Sequence, residues 1–140
     1  MGQFERMAST DKSTNCKVLV ADDKDTGREL VRTVLEDVGY KIFEASDGIE
    51  ALNVAHRIHP DLIILDLHMP GLDGFAVIKE LRVDPHFATI PVVALTASAM
   101  QGDRQRALAA GFTSYITKPV SLKGLRAEIE RLLLTSKMPA

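Results

Sequence analysis

The feature that most constrains this chain is an alternation repeated along it. Five short apolar runs, KVLVA (17–21), KIFEA (41–45), LIIL (62–65), PVVAL (91–95) and SYIT (114–117), are each followed by a segment long enough for a helix. Leu30, Val31, Val34, Leu35 and Val38 mark one helical stripe, and Ile49, Leu52 and Ile58 a second, shorter one. Phe75, Ile78 and Leu81 mark a third, and Leu122, Leu125, Ile129, Leu132 and Leu133 a last. Strands that alternate with helices are joined by right-handed crossovers, which makes the sheet parallel and covers both of its faces. The first, third and fourth runs are apolar almost throughout, as strands buried on both faces must be. The second is more polar, which suits an edge. The expected fold is therefore α/β, a doubly wound (βα)5 arrangement of a five-stranded parallel sheet flanked by five helices.

Punctuation between the runs agrees with this. Asp73 and Ser121 stand where side-chain oxygens cap helix starts, and Ser98 is placed to do so for the fourth helix. Gly39 and Gly111 fall where helices end, just before the next strand. Residues 1–15 are polar and aperiodic and read as a flexible tail, 16–135 as one domain, and 136–140 as a frayed end. No further domain is expected after Leu134. Lys and Arg are spread along the chain at a net charge of −2, which argues against a nucleic-acid surface. Cys16 is the only cysteine and forms no internal disulfide, no run approaches the ~20 residues of a membrane span, and the first residues lack an apolar signal core. A cytoplasmic protein is expected.

The chemistry lies where the runs end. Ligands of open parallel sheets bind outside the carboxyl ends of the strands. The first run ends in Asp22 and Asp23, the third in Asp66, the fourth in Thr96 and the fifth in Lys118. Any one of these is more often a turn former, cap or surface charge; together they share one edge of the sheet. Three neighbouring carboxylates repel and need a cation. Hard oxygen ligands without His or Cys point to Mg²⁺, with Mn²⁺ as a substitute. A metal, an ammonium and a hydroxyl converging on one carboxylate suit phosphoryl transfer, with Asp66 as nucleophile.

These residues carry a resemblance. VLVADD, LIILDLHMPGLDGF, VVALTA and YITKP resemble the motifs of the response regulator receiver domains of two-component systems, the family that includes the chemotaxis receiver, from about Lys17 to Leu134. The resemblance implies a flavodoxin-like strand order 2-1-3-4-5 and a phosphorylation-driven switch. Asp66 would be the phosphoacceptor. Asp23 and Asp66 would bind Mg²⁺ directly, Asp22 through water, and His68 through its backbone carbonyl. Thr96 and Lys118 would contact the phosphoryl group, Pro119 would follow a cis peptide bond, and Tyr115 would act with Thr96 as the switch. A histidine kinase or histidine phosphotransfer protein would donate the phosphate, meeting the first helix near Asp25. A downstream protein effector would read the face bearing Met100, Gln101, Arg104, Tyr115 and Lys123. The protein would be a monomer, or a dimer on phosphorylation, and would catalyse only its own modification. Gly27 stands where many relatives carry Asn and is expected to loosen the local loop; together with Lys24 beside the acidic pair, it puts the strength of metal binding in question.

Competing readings are weaker. A dehalogenase-type phosphohydrolase carries a second Asp two positions after its nucleophile, where this chain has His68. A flavodoxin-like cofactor binder needs a hydroxyl-rich phosphate loop where this chain has Asp22 and Asp23. A receiver-like interaction module without phosphorylation has no use for the full set of Asp66, Thr96 and Lys118.

Overall fold

The computed structural model describes residues 16–97 and 102–137, with side chains as far as Thr135. Strands β1 (Lys17–Ala21), β2 (Lys41–Ala45), β3 (Leu62–Asp66), β4 (Val92–Thr96) and β5 (Ser114–Thr117) alternate with helices α1 (Asp25–Val38), α2 (Gly48–Ile58), α3 (Gly74–Val83), α4 (Asp103–Ala110) and α5 (Leu122–Lys137). All pairings are parallel, in the order β2-β1-β3-β4-β5. The expected doubly wound fold is thus the observed one. β3 and β4 each reach one residue further than their apolar runs, so Asp66 and Thr96 are the last ladder residues of buried strands.

The period of two along each strand divides the core into two layers. Leu19, Ala21, Ile63, Leu65, Val92 and Ala94 pack with residues of α2, α3 and α4. Val18, Val20, Leu62, Ile64, Val93 and Leu95 pack with residues of α1 and α5. Continuing the alternation puts Asp22, Asp66 and Lys118 on the α1/α5 side of the sheet edge. Thr96 and Tyr115 fall on the α4 side.

The helix ends follow the sequence closely. The Asp73 carboxylate accepts from the Ala76 N–H at 3.0 Å, and the Ser121 hydroxyl accepts from the Gly124 N–H at 3.1 Å. Gly39 (φ 112°) and Gly111 (φ 118°) close α1 and α4 in the left-handed conformation. Ser98 lies outside the described residues, and α4 begins after Gly102 rather than after a side-chain cap. Helix α5 runs on to Lys137, past the expected boundary at 135.

The stripe on α2 needs correction. Leu52 and Ile58 pack against the core as expected, but Ile49 is 61% exposed, and the fully buried positions are Gly48, Ala51, Val54 and Ala55. Asp47 caps the helix through the Glu50 N–H and so fixes its phase, turning Ile49 outward. Small residues on the inner face admit the neighbouring loop, for a Cβ on Gly48 would stand 2.0 Å from the Leu72 carbonyl oxygen. Leu30 on α1 likewise faces outward at 46% exposure, leaving Val31 and Leu35 as that helix's buried residues.

Candidate functional site

The carboxyl edge of the sheet brings the strand-end residues together. Asp22 continues β1 by donating its N–H to the Ala45 carbonyl at 3.1 Å, which turns its side chain inward. Asp22 and Asp66 are only 1% and 5% exposed, while Asp23 is more open. One carboxylate oxygen from each of Asp22, Asp23 and Asp66 lies within 4.8 Å of the others. Across the edge, the Lys118 ammonium donates to Asp22 Oδ2 at 2.8 Å and to Asp66 Oδ2 at 3.5 Å. The Lys118 N–H bonds the Thr96 carbonyl at 2.7 Å, which ties the end of β5 to that of β4, and the Lys118–Pro119 peptide bond is cis.

Electrostatics separate the two buried carboxylates. Burial raises both. For Asp22 the Lys118 ammonium and the Lys24 N–H (3.0 Å) outweigh burial, and its carboxyl is held below the ordinary aspartate value. For Asp66, burial and the neighbouring Asp22 charge outweigh the His68 N–H (3.0 Å) and Lys118, so its carboxyl is held above that value. Burial depresses the Lys118 ammonium, but the two carboxylates more than restore its charge. A single ammonium thus serves a cluster of three carboxylates and lies nearer to Asp22. The cluster retains excess negative charge, and a divalent cation with oxygen ligands fits it.

Several neighbours were not legible as site residues. Arg28, in the first turns of α1, donates to the Asp22 backbone carbonyl at 2.6 Å and to Glu44 of β2 at 3.1 Å, and it also pairs with Asp25. Arg32 reaches the other oxygen of Glu44 at 2.8 Å. This network clamps the β1–α1 loop to the edge strand. At Gly27 a Cβ would stand 2.8 Å from Asp22 Oδ2, so its absence lets the carboxylate tuck against α1. Lys24 contributes its backbone N–H, and its side chain is exposed. Gly74 lets α3 start hard against β3, where a Cβ would meet the Asp66 carbonyl oxygen at 2.7 Å. Arg28 and Glu44 gave a weak signal as a charged pair at the ends of neighbouring elements; Gly74 gave none.

The remaining expected residues divide by position. Thr96 is fully buried at the end of β4. Tyr115, half-buried on the edge strand β5, packs against the core layer under α4 and lines a surface depression with Arg104, Ser121 and Glu128. Burial and the nearby Asp103 hold its phenol above the ordinary value. Lys123 lies elsewhere, in the groove between α5 and α1 beside Val34 and Asp37. Met100 and Gln101 lie outside the described residues.

Comparison with known proteins agrees with this geometry. Residues 18–130 match the response regulator receiver domain family. The chain is 41% identical over 128 residues to a probable transcriptional regulator, ycf27, of Guillardia theta, covering 91% of this chain and 49% of the relative. It thus spans about half the length of that relative. It is 39% identical over 105 residues to the polar-differentiation response regulator DivK of Brucella ovis, covering 75% of this chain and 85% of the relative. Among solved structures, the chemotaxis response regulator CheY4 of Vibrio cholerae superposes with a TM-score of 0.79 at 33% identity, over 84% of this chain and 98% of that one. The receiver domain of Francisella response regulator 1452 does so with a TM-score of 0.82 at 34% identity, over 88% of this chain and all of that one. With its family match across the whole sheet and its acidic edge assembled in the same fold, this chain belongs to the response regulator receiver domain family of two-component signalling.

Proposed function

We propose that the protein is a phosphorylation-dependent switch in which Asp66 accepts a phosphoryl group in a Mg²⁺-dependent reaction. The observation that carries this reading is the convergence of Asp22, Asp23 and Asp66 within 4.8 Å, with Lys118 bridging two of them. Asp23 and Asp66, the His68 carbonyl and, through water, Asp22 would hold the metal, which supplies positive charge for the oxygens of the transferring group. An Asp66 carboxylate oxygen attacks phosphorus as the bond to the donor breaks, giving an acyl phosphate and releasing the donor. The new charge arrives beside Lys118, whose ammonium is free to leave Asp22 and pair with it. Thr96 lies one ladder position from Asp66, since Asp66 pairs with Leu95, and its hydroxyl would move to meet the phosphoryl oxygens.

The donor would be the phosphoimidazole of a histidine kinase or phosphotransfer protein approaching α1. Movement of Thr96 towards the phosphate would let Tyr115 turn inward and change the face formed by α4, β5 and α5. Receiver domains are signalling domains, and this self-modification releases no product of a turnover cycle. The output would come through a protein effector that reads the changed face. No helix among the described residues is long and apolar enough to cross a membrane, and Cys16 is a buried thiol, both in keeping with a cytoplasmic site of action. An NMR titration with Mg²⁺ tests the metal site. Shifts centred on residues 22, 23, 66 and 68 that disappear in Asp66→Asn support it, and no saturable shift at these positions excludes it.

A further inference from the structure

Three of the four histidines lie together at the amino edge of the sheet, away from Asp66. His56 and His59 come from the end of α2, and Asp84 and His86 from the turn after α3. His56 Nδ1 lies 2.8 Å from the Leu52 carbonyl, an acceptor, so this nitrogen carries a proton. Its Nε2 faces Asp84 Oδ2 at 3.2 Å. An imidazole nitrogen and a carboxylate oxygen that face each other at this distance are two potential ligands of one cation. A backbone carbonyl that fixes the tautomer of a ligating histidine is the usual outer support of a metal site.

The same carboxylate meets a second ring. His86 Nδ1 lies 3.2 Å from Asp84 Oδ1, and the His86 N–H holds that oxygen at 2.9 Å. The His86 N–H is also the largest influence on Asp84, and with the two rings it keeps this carboxyl below the ordinary aspartate value. Both nitrogen–oxygen distances are long for a charge-assisted hydrogen bond. They match the ligand–ligand spacing of about 3.3 Å that follows from tetrahedral zinc with its usual bond lengths. His59 stacks on buried Phe87 at 5.8 Å, and its ring centre is 5.5 Å from that of His86, within reach as a further ligand.

From this geometry we propose that His56, Asp84 and His86 form a site for a borderline divalent cation of the Zn²⁺ class, with His59 as a fourth ligand. The ligand atoms do not yet converge as those of the acidic trio do. His56 and His86 are 56% and 72% exposed, so their rings can swing towards a common ion held by both oxygens of Asp84. Imidazole ligands select Zn²⁺, Ni²⁺ or Cu²⁺ over the Mg²⁺ suited to the acidic edge. The site needs no phosphorylation and is independent of the role given to Asp66.

Calorimetric titration of the tag-free chain with Zn²⁺, in excess Mg²⁺, tests the proposal. One saturable site is expected, weakened about tenfold or more by His56→Ala or His86→Ala, with zinc binding retained in Asp66→Asn. Because the substituted rings are exposed, thermal melts of the variants should show an intact fold. In NMR spectra the ring signals of His56 and His86 should move with zinc while those of His68 stay. Absence of saturable binding would overturn the proposal. So would binding that is lost in Asp66→Asn and kept in the histidine variants, which would assign the zinc to the acidic edge.

Discussion

Replacing Lys118 by Met should expose the electrostatic design of the site. The ammonium, 21% exposed, lies 2.8 Å from Asp22 and 3.5 Å from Asp66, and those carboxylates are nearly inaccessible to water. Removing one partner of a buried ion pair costs about 3–5 kcal/mol, because the charge left behind is uncompensated. Proton uptake gives a second measure of the cost. Protonating one aspartate of ordinary pKa, about 3.9, at pH 7 costs about 4 kcal/mol, which sets the scale of the charge penalty. Partial solvent access lowers the expectation to about 3 kcal/mol at pH 7 without metal.

The pH dependence has a definite sign. In the variant, the carboxylate pair titrates above its unfolded value, so the folded form holds the extra proton, and stability rises as pH falls through the folded pKa. In the parent, the lowered pKa of Asp22 acts in reverse: its contribution is complete above the unfolded value and is lost as pH falls through the folded one. The gap between the two proteins should therefore narrow from about pH 7 to about pH 5, and Mg²⁺ should narrow it as well. Urea denaturation of both proteins at each pH, with EDTA or Mg²⁺, measures this directly. A loss below about 1 kcal/mol, unchanged by pH, would refute the account of a charge-starved buried cluster.

Other perturbations give separable outcomes. Glu44→Gln should cost about 1 kcal/mol at pH 7. Burial raises the Glu44 carboxyl, but Arg32 and Arg28 lower it further, so the contribution is present above the unfolded value and is lost as pH falls through the lowered folded one; urea melts from neutral to acid pH should show the difference disappear. Gly74→Ala drives a Cβ into backbone atoms of Asp66 and Leu67 at 2.7 and 2.8 Å, neither of which can move cheaply, and should lower stability by about 2 kcal/mol in thermal melts. Gly27→Ala gains about 1 kcal/mol of helix propensity but pushes Asp22 away from its place beside Lys118. Stability should stay within about 1 kcal/mol of the parent, while Mg²⁺ affinity measured by NMR titration falls roughly fivefold.

The sheet was legible because β1, β3 and β4 are buried on both faces, and continuous apolar runs such as Leu62–Leu65 admit little else. The site was legible for a related reason: a polar residue that ends such a run is placed at one edge by the topology alone. Leu52 and Ile58 of α2 were legible as core-facing, but the outward turn of Ile49 was not, because the fully buried positions include Gly48, Ala51 and Ala55, which are less hydrophobic than Ile49. Phe87 was likewise overlooked in a loop, although it is 1% exposed, because it acts in no periodic pattern. Arg82 is held by the Gly111, Phe87 and Ile90 carbonyls at 2.7–2.9 Å, a set of partners that only the folded chain assembles. Sequence spacing could not show that Lys118 lies closer to Asp22 than to Asp66, nor that His56 meets Asp84 across 28 residues.

The central claim is that Asp66 is a phosphoacceptor that depends on a divalent cation. Intact-mass spectrometry after incubation with acetyl phosphate tests it most directly, with and without Mg²⁺ and with Asp66→Asn alongside. The account predicts one phosphoryl adduct that requires Mg²⁺ and is absent from the variant. No adduct, under conditions that modify a working receiver domain, or an adduct that persists in Asp66→Asn, would contradict it.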